Sequence, residues 1–203
     1  MRVKVCGITN QSDSLEAYRS GAHALGFIFI RSSPRYISID QAKDINRAMP
    51  PFCMRIGVFA DQEISQVLQI CSECRLSAIQ IHGVSEDKKY LEDLYHKTSL
   101  PIIRALRLRS EEEPILLSGL NRNHIQAILL DGSDISADQC RRARETVPGR
   151  PLIIAGSLDA DNLKRRIEDL RPDAVDVCRG LEKEPGRKDS LKLRKFFEVA
   201  STL

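Results

Sequence analysis

Short apolar runs separated by helix-patterned segments recur eight times along this chain, and that recurrence constrains its fold more than any other feature. The runs are Val3–Cys6, Ala24–Phe29, Arg55–Phe59, Ala78–Ile81, Ile102–Ala105, Ala127–Leu130, Leu152–Ile154 and Ala174–Val177. Helical patterns fall near 12–20, 39–48, 62–74, 86–97, 136–146, 159–170 and 188–201. The stretch 109–121 reads as a short or degraded helix, with Pro114 after its acidic start. Strands alternating with helices make βαβ units and a parallel sheet. Eight such units describe an α/β, single-domain (β/α)8 TIM barrel over residues 1–203, short for its class and so with brief loops. A doubly wound open sheet normally stops at about five or six strands, and no glycine-rich dinucleotide turn follows the first run. Cap-type side chains at Asp40, Ser136 and Asp159 agree with the spacing of the helix starts.

The bulk composition closes off several classes of function. A hydrophobic fraction of 42% is ordinary for a globular chain, and 203 residues suffice for one well-buried domain. The net charge is only +3, and Lys and Arg are interleaved with Asp and Glu, so no nucleic-acid footprint is expected. The densest basic group, Arg141-Arg142 with Arg144, reads as a solvated helix face. No basic-then-apolar leader follows Met1, and no apolar stretch approaches the ~18 residues of a membrane helix. A cytoplasmic chain with no membrane partner and six reduced cysteines is the expectation. Cys71-x-x-Cys74 lacks the second pair that a zinc site needs, and Cys53, Cys140 and Cys178 do not supply it.

In such a barrel the carboxyl ends of the strands face the site, and the amino ends serve stability. Those ends carry, in order, Cys6-Gly7, Arg31-Ser-Ser-Pro-Arg35, Gln80-Ile-His82-Gly83, Arg104, Asp131-Gly132, Ala155-Gly156-Ser157 and Asp176 with Cys178-Arg179-Gly180. A thiol, two carboxylates, a histidine and several arginines on one rim point to acid–base chemistry on an anionic substrate, with no metal cluster there. Cys6 can serve as base or nucleophile where its neighbours favour the thiolate, though a lone buried cysteine more often packs. Asp131 ends an apolar run, and partial desolvation would raise its pKa and suit a general acid; a helix cap is the plain alternative. Arg35 can clamp a carboxylate, and His82 reads equally as a ligand contact or a hydrogen-bonded packing residue. Gly156 and Gly180 sit where barrels surround a phosphate with backbone N–H groups.

These residues resemble the phosphoribosylanthranilate isomerase family of tryptophan biosynthesis. The matching segments are Lys4-Val-Cys-Gly-Ile-Thr9, Gly26-Phe-Ile-Phe with Ser33-Pro-Arg-Tyr-Ile-Ser38, Gly57-Val-Phe59 and Gln80-Ile-His-Gly83. They continue through Leu129-Leu-Asp131, Ala155-Gly156, Ala174-Val-Asp176 and Glu184-Pro-Gly-Arg-Lys-Asp189. The resemblance implies an Amadori rearrangement of an aminoaldose to an aminoketose without a cofactor. It implies Asp131 as the general acid that opens the ribose ring and Cys6 as the base that takes the C2 proton. It further implies Arg35 on the anthranilate carboxylate, Asp176 on the anthranilate amine, His82 among the substrate contacts, and phosphate binding at Gly156, Ser157, Arg179 and Gly180. The partner is then the small molecule phosphoribosylanthranilate, and a monomer is favoured.

The chain departs from the family pattern in three turns. The Gly-rich loop G-G-T-G-x-x-F-D-W usual after the sixth strand is replaced by Gly132-Ser-Asp-Ile-Ser-Ala137. Gly156-Ser157 stands for the usual Gly-Gly, and Cys178-Arg179-Gly180 for the usual Ser-Ser-Gly. Loss of the loop is expected to leave Asp131 solvated, near the ordinary value of about 3.9, with slow isomerisation that improves toward pH ~6. Two other readings compete: a barrel that binds sugar phosphates or anthranilate derivatives with little turnover, and a thiol-redox protein built on Cys71 and Cys74. Retention of both Cys6 and Asp131 favours the enzyme, and the redox reading lacks a thioredoxin-like context.

Overall fold

The computed structural model describes residues 1–82, 88–108 and 122–203. Eight parallel strands close into a barrel in chain order: β1 (Arg2–Cys6), β2 (Ala24–Ile28), β3 (Met54–Phe59), β4 (Ala78–Ile81), β5 (Ile102–Arg107), β6 (Ala127–Asp131), β7 (Leu152–Ala155) and β8 (Ala174–Val177). Helices α1 (Gln11–Ser20), α2 (Ile39–Ala48), α3 (Ile64–Glu73), α4 (Lys88–Lys97), α5 (Ala137–Thr146), α6 (Leu163–Leu170) and α7 (Ser190–Ala200) form the outer ring. The expected start of the fourth helix, at 86, and the stretch 109–121 lie outside the described residues. β1 pairs with β8, Lys4 opposite Asp176, and this closure leaves no open sheet edge in the barrel.

Local chemistry explains the helix starts, with two corrections. Ser136 caps α5 in a reciprocal capping box with Gln139, as its spacing suggests. The cap of α2 is Ser38, boxed with Gln41, and Asp40 lies inside the first turn, where its charge favours the helix dipole. Asp159 accepts from the N–H groups of Asp161 and Asn162 in the turn before α6, whose cap position is Asn162. The sequence reading also missed a hairpin: β9 (Glu182–Glu184) turns back through Pro185-Gly186 onto β10 (Arg187–Lys188). Gly186 takes the positive φ, 79°, that this tight turn demands.

Alternation along each strand sorts residues into two cores. Val3, Val5, Leu25, Phe27, Ile128 and Leu130 face the helices in the main core. Ala24, Ile56, Ala78, Ile103, Ala127, Leu129 and Ile153 fill the barrel interior. This inner plug is small-chained and apolar toward the amino ends. The same inward alternation continues upward into Lys4, Cys6, Gln80, Asp131 and Asp176, so polar groups gather at the carboxyl end.

Candidate active site

At that end opens a cavity of about 780 Å³. Cys6, Arg35, His82, Asp131, Gly156, Ser157, Asp176 and Arg179 all line it, so eight of the nine residues expected at the site converge. Gly180 does not line the cavity. A Cβ there would collide with the Leu158 carbonyl, so close approach of the two loops accounts for the glycine. Arg104 is a second correction: it belongs to the outward-facing set of β5, buried with Nη1 near the Ile81 carbonyl. β5 runs to Arg107, whose inward position does line the cavity.

Lys4 is the central residue that sequence reasoning passed over. Its Nζ lies 2.8 Å from Asp176 Oδ2, with both side chains under a tenth exposed. The Cys6 thiol lies two residues along the same strand face, near enough for its charge to act on the ammonium. Burial alone would push Lys4 down, but Asp176 and Cys6 hold it above its ordinary value. Burial raises Cys6 as well, and Lys4 is the largest influence opposing that rise. Gly26 makes room for the pair, because a Cβ there would stand 2.6 Å from Cys6 Sγ and 2.9 Å from Lys4 Nζ. Asp176 Oδ1 is buried with no partner among the described residues. A buried carboxylate oxygen without a partner is costly, and it suits a ligand N–H. The signal for Lys4 was a cation inside an apolar strand at i−2 from the thiol.

Asp131 is half-buried, and burial followed by repulsion from Asp176 raises its pKa, against opposing pulls from Arg107 and Arg179. This overturns the expectation of a solvated, unperturbed carboxyl. The short Gly132–Ile135 turn does not open the site, because it packs against its neighbours. A Cβ on Gly156 would stand 2.5 Å from the Gly132 backbone, and one on Gly132 2.8 Å from the Leu108 carbonyl. On the opposite wall Gln80 Nε2 meets His82 Nε2 at 2.6 Å. Burial, with Lys4, Arg104 and Arg107 nearby, pushes His82 down to about 4, so the imidazole is neutral and acts through hydrogen bonds.

The Arg35 fork is already engaged. Nε and Nη2 grip Glu182 at 2.9 Å and 2.6 Å, and the Nη1 end lies outside this pair. Glu182 also accepts from Lys188 Nζ at 3.2 Å and from the Gly186 N–H. Burial would push Glu182 up, but Arg35, Lys188 and Gly186 hold it below its ordinary value. The fully buried Lys188 donates to the Cys6 carbonyl at 2.6 Å and so fixes the end of β1. Glu182 and Lys188 belong to the unforeseen hairpin and brace the site from outside.

Across the mouth, Arg179 Nη2 donates to Ser157 Oγ at 3.0 Å. Ser157 holds φ 52°, the left-handed region that glycine fills without strain. Guanidinium and hydroxyl together give this rim an anion-binding corner. The Cys71/Cys74 pair has no part in it. Both thiols are buried, pushed up to about 12 and about 11 by burial, and Cys74 points to the Ile39 carbonyl. Arg141 and Arg142 pair with Asp138 on the outer face of α5, as expected of a solvated helix face.

A family profile described as N-(5'-phosphoribosyl)anthranilate (PRA) isomerase matches residues 3–199. This chain belongs to the PRA isomerase family. It is 35% identical over 207 residues to the N-(5'-phosphoribosyl)anthranilate isomerase of Pelobacter propionicus, covering 98% of this chain and 95% of that one. The Thermotoga neapolitana protein of the same name is 35% identical, with both chains fully covered. Among solved structures, the Thermotoga maritima enzyme superposes with a TM-score of 0.88 at 34% identity over the whole of both chains. A phosphoribosyl anthranilate isomerase in complex with reduced 1-(o-carboxyphenylamino)-1-deoxyribulose 5-phosphate gives 0.87 at 35% identity, again over the whole of both chains.

Proposed function

We propose that this PRA isomerase family member rearranges N-(5'-phosphoribosyl)anthranilate to 1-(2-carboxyphenylamino)-1-deoxyribulose 5-phosphate with Asp131 as general acid and Cys6 as general base. The observation that carries the assignment is one cavity holding a carboxyl raised by burial and a thiol beside a buried cation. Asp131 protonates the ribose ring oxygen, the C1–O bond breaks, and the amine lone pair forms the C1=N Schiff base. Cys6 then removes the C2 proton, and the electron pair shifts to give an enolamine. Reprotonation at C1 and loss of the C2 hydroxyl proton leave the ketone. C1 is reduced and C2 oxidised, so the step balances within the substrate and calls for no cofactor.

The supporting groups follow from the same geometry. The unpartnered Asp176 Oδ1 receives the anthranilate N–H, and Lys4 holds Asp176 while favouring the Cys6 thiolate. The Nη1 end of Arg35 meets the anthranilate carboxylate, neutral His82 supplies a hydrogen bond, and Ser157 with Arg179 takes the phosphate beside Gly156. Gly180 serves that turn through loop packing. The chain works as a single 1–203 domain and a cytoplasmic monomer. In support of the monomer, its most exposed large apolar side chains lie apart, Phe52 in the turn before β3 and Leu191 on α7. Light scattering checks the monomer.

The decisive assay follows the fluorescence of phosphoribosylanthranilate with purified chain. Consumption that falls by about 10²–10⁴ in Cys6→Ser and in Asp131→Asn, with the fold intact, is expected. Substrate binding without consumption would instead establish the binding-barrel reading. Near-normal kcat in either variant would remove that residue from the chemistry.

A further inference from the structure

On the amino-terminal rim, opposite the cavity, Glu92 and His96 stand one turn apart on the exposed face of α4. His124 ends the 3₁₀ turn Arg122–His124 that leads into β6 and packs beside them. One ligand atom from each of the three lies within 4.8 Å of the other two. Such a triangle has a centre no more than roughly 2.8 Å from all three atoms, and contraction to the ~2.0–2.2 Å of zinc bonds asks less than about 1 Å of each side chain. We propose that Glu92, His96 and His124 form a binding site for a borderline divalent cation of the zinc class.

Three features support a cation here. Two imidazoles with one carboxylate select zinc, nickel, cobalt or copper over magnesium and calcium, which prefer all-oxygen ligands. The site lies at the carboxyl end of α4, where the helix dipole favours positive charge. Tyr95 stacks on His124 with centroids 4.7 Å apart and planes at 26°, which holds the His124 ring in place before any ion arrives. Beside His96 opens a recess of about 430 Å³ walled by Tyr95, Leu100 and Pro101. Three protein ligands leave a fourth position, and the recess gives water or a small anion room to fill it.

The bound ion ties α4 to the segment entering β6, two elements that flank β5 and are far apart in the chain. Binding to the folded form alone stabilises that form by mass action. Because this rim serves stability, the ion acts on folding and not on the chemistry across the barrel.

Isothermal titration of the full chain with Zn²⁺ is expected to show a site that His96→Asn and His124→Asn each remove. Glu92→Gln, near-isosteric and exposed, weakens it by about tenfold or more, equal to about 1.4 kcal/mol or greater. Co²⁺ gives the visible absorption of a low-coordinate nitrogen–oxygen site, without the intense sulfur charge-transfer band that Cys6 or Cys178 would produce. Zn²⁺ raises the Tm of the wild-type chain by a few degrees and leaves that of His96→Asn unmoved. Absence of binding, binding that survives both histidine variants, or a sulfur band in the cobalt spectrum overturns the assignment.

Discussion

Replacing Lys4 with Met isolates the electrostatic part of the site from its acid and base. The variant keeps a long unbranched side chain on the inner face of β1 but removes the cation that neighbours Cys6 and pairs with Asp176 at 2.8 Å. An opposite charge at such range changes the ionised population of a group by about 10–10³. The Cys6 thiolate, already disfavoured by burial, becomes scarcer by that factor, and kcat/KM falls with it. The pH profile separates this cause from simple damage. The plateau falls and the alkaline limb moves to higher pH by the same factor, because both report Cys6 ionisation. Stability falls too, since breaking a buried ion pair from one side costs about 3–5 kcal/mol. At about 2–4 °C per kcal/mol for a chain of this size, the Tm drops by roughly 6–20 °C. Lys4→Met/Asp176→Asn removes the stranded charge and recovers most of the Tm, but not the rate. Stopped-flow fluorescence and calorimetry read the two effects separately. A Lys4→Met chain with near-normal kcat/KM, or one whose plateau falls while the alkaline limb stays put, would refute the role assigned to Lys4.

The protonation states required of Asp131 and Cys6 predict a flat kcat/KM between the raised Asp131 value and the raised Cys6 value, with no gain on acidification, because protonated Asp131 and ionised Cys6 vary in opposite senses across that interval. The rate drops on the acid side through the raised Asp131 value and on the alkaline side beyond the raised Cys6 value; a rate that climbs steadily toward pH 6 contradicts this. Gly26→Ala places a methyl 2.6 Å from Cys6 Sγ, so kcat falls by about 10²-fold or more from misplacement while circular dichroism stays native. Unchanged kcat there would mean that thiol and ammonium can shift without cost. Arg179→Ser raises KM more than it lowers kcat and weakens inhibition by free phosphate in parallel, since phosphate binding is largely uniform along the reaction. Equal KM and equal phosphate inhibition would place the guanidinium outside the binding corner.

The barrel was legible because its cause is local: eight apolar runs fix eight strands, helical patterns between them fix parallel order, and the carboxyl ends of the strands then collect the chemistry. The place of Cys6, Asp131 and Asp176 in the cavity is readable from their positions at the strand ends. Where the reading failed, the deciding fact was direction or distant pairing. Arg104 and Arg107 look alike in sequence, and the pleat sends one outward to the helices and the other to the cavity. Asp40 looks like a cap, but Ser38, two residues earlier, caps the helix and leaves Asp40 in its first turn. The Asp131 environment depended on backbone contact between the turns after β6 and β7, which no single turn encodes. Lys4 meets Asp176 only because β8 closes onto β1, and Glu182 meets Arg35 only because a hairpin after β8 folds over the rim. Composition and period determine where a side chain sits along its strand. Only barrel closure sets which buried charges face one another, because burial forces each of them to find a partner from whatever strand lies alongside.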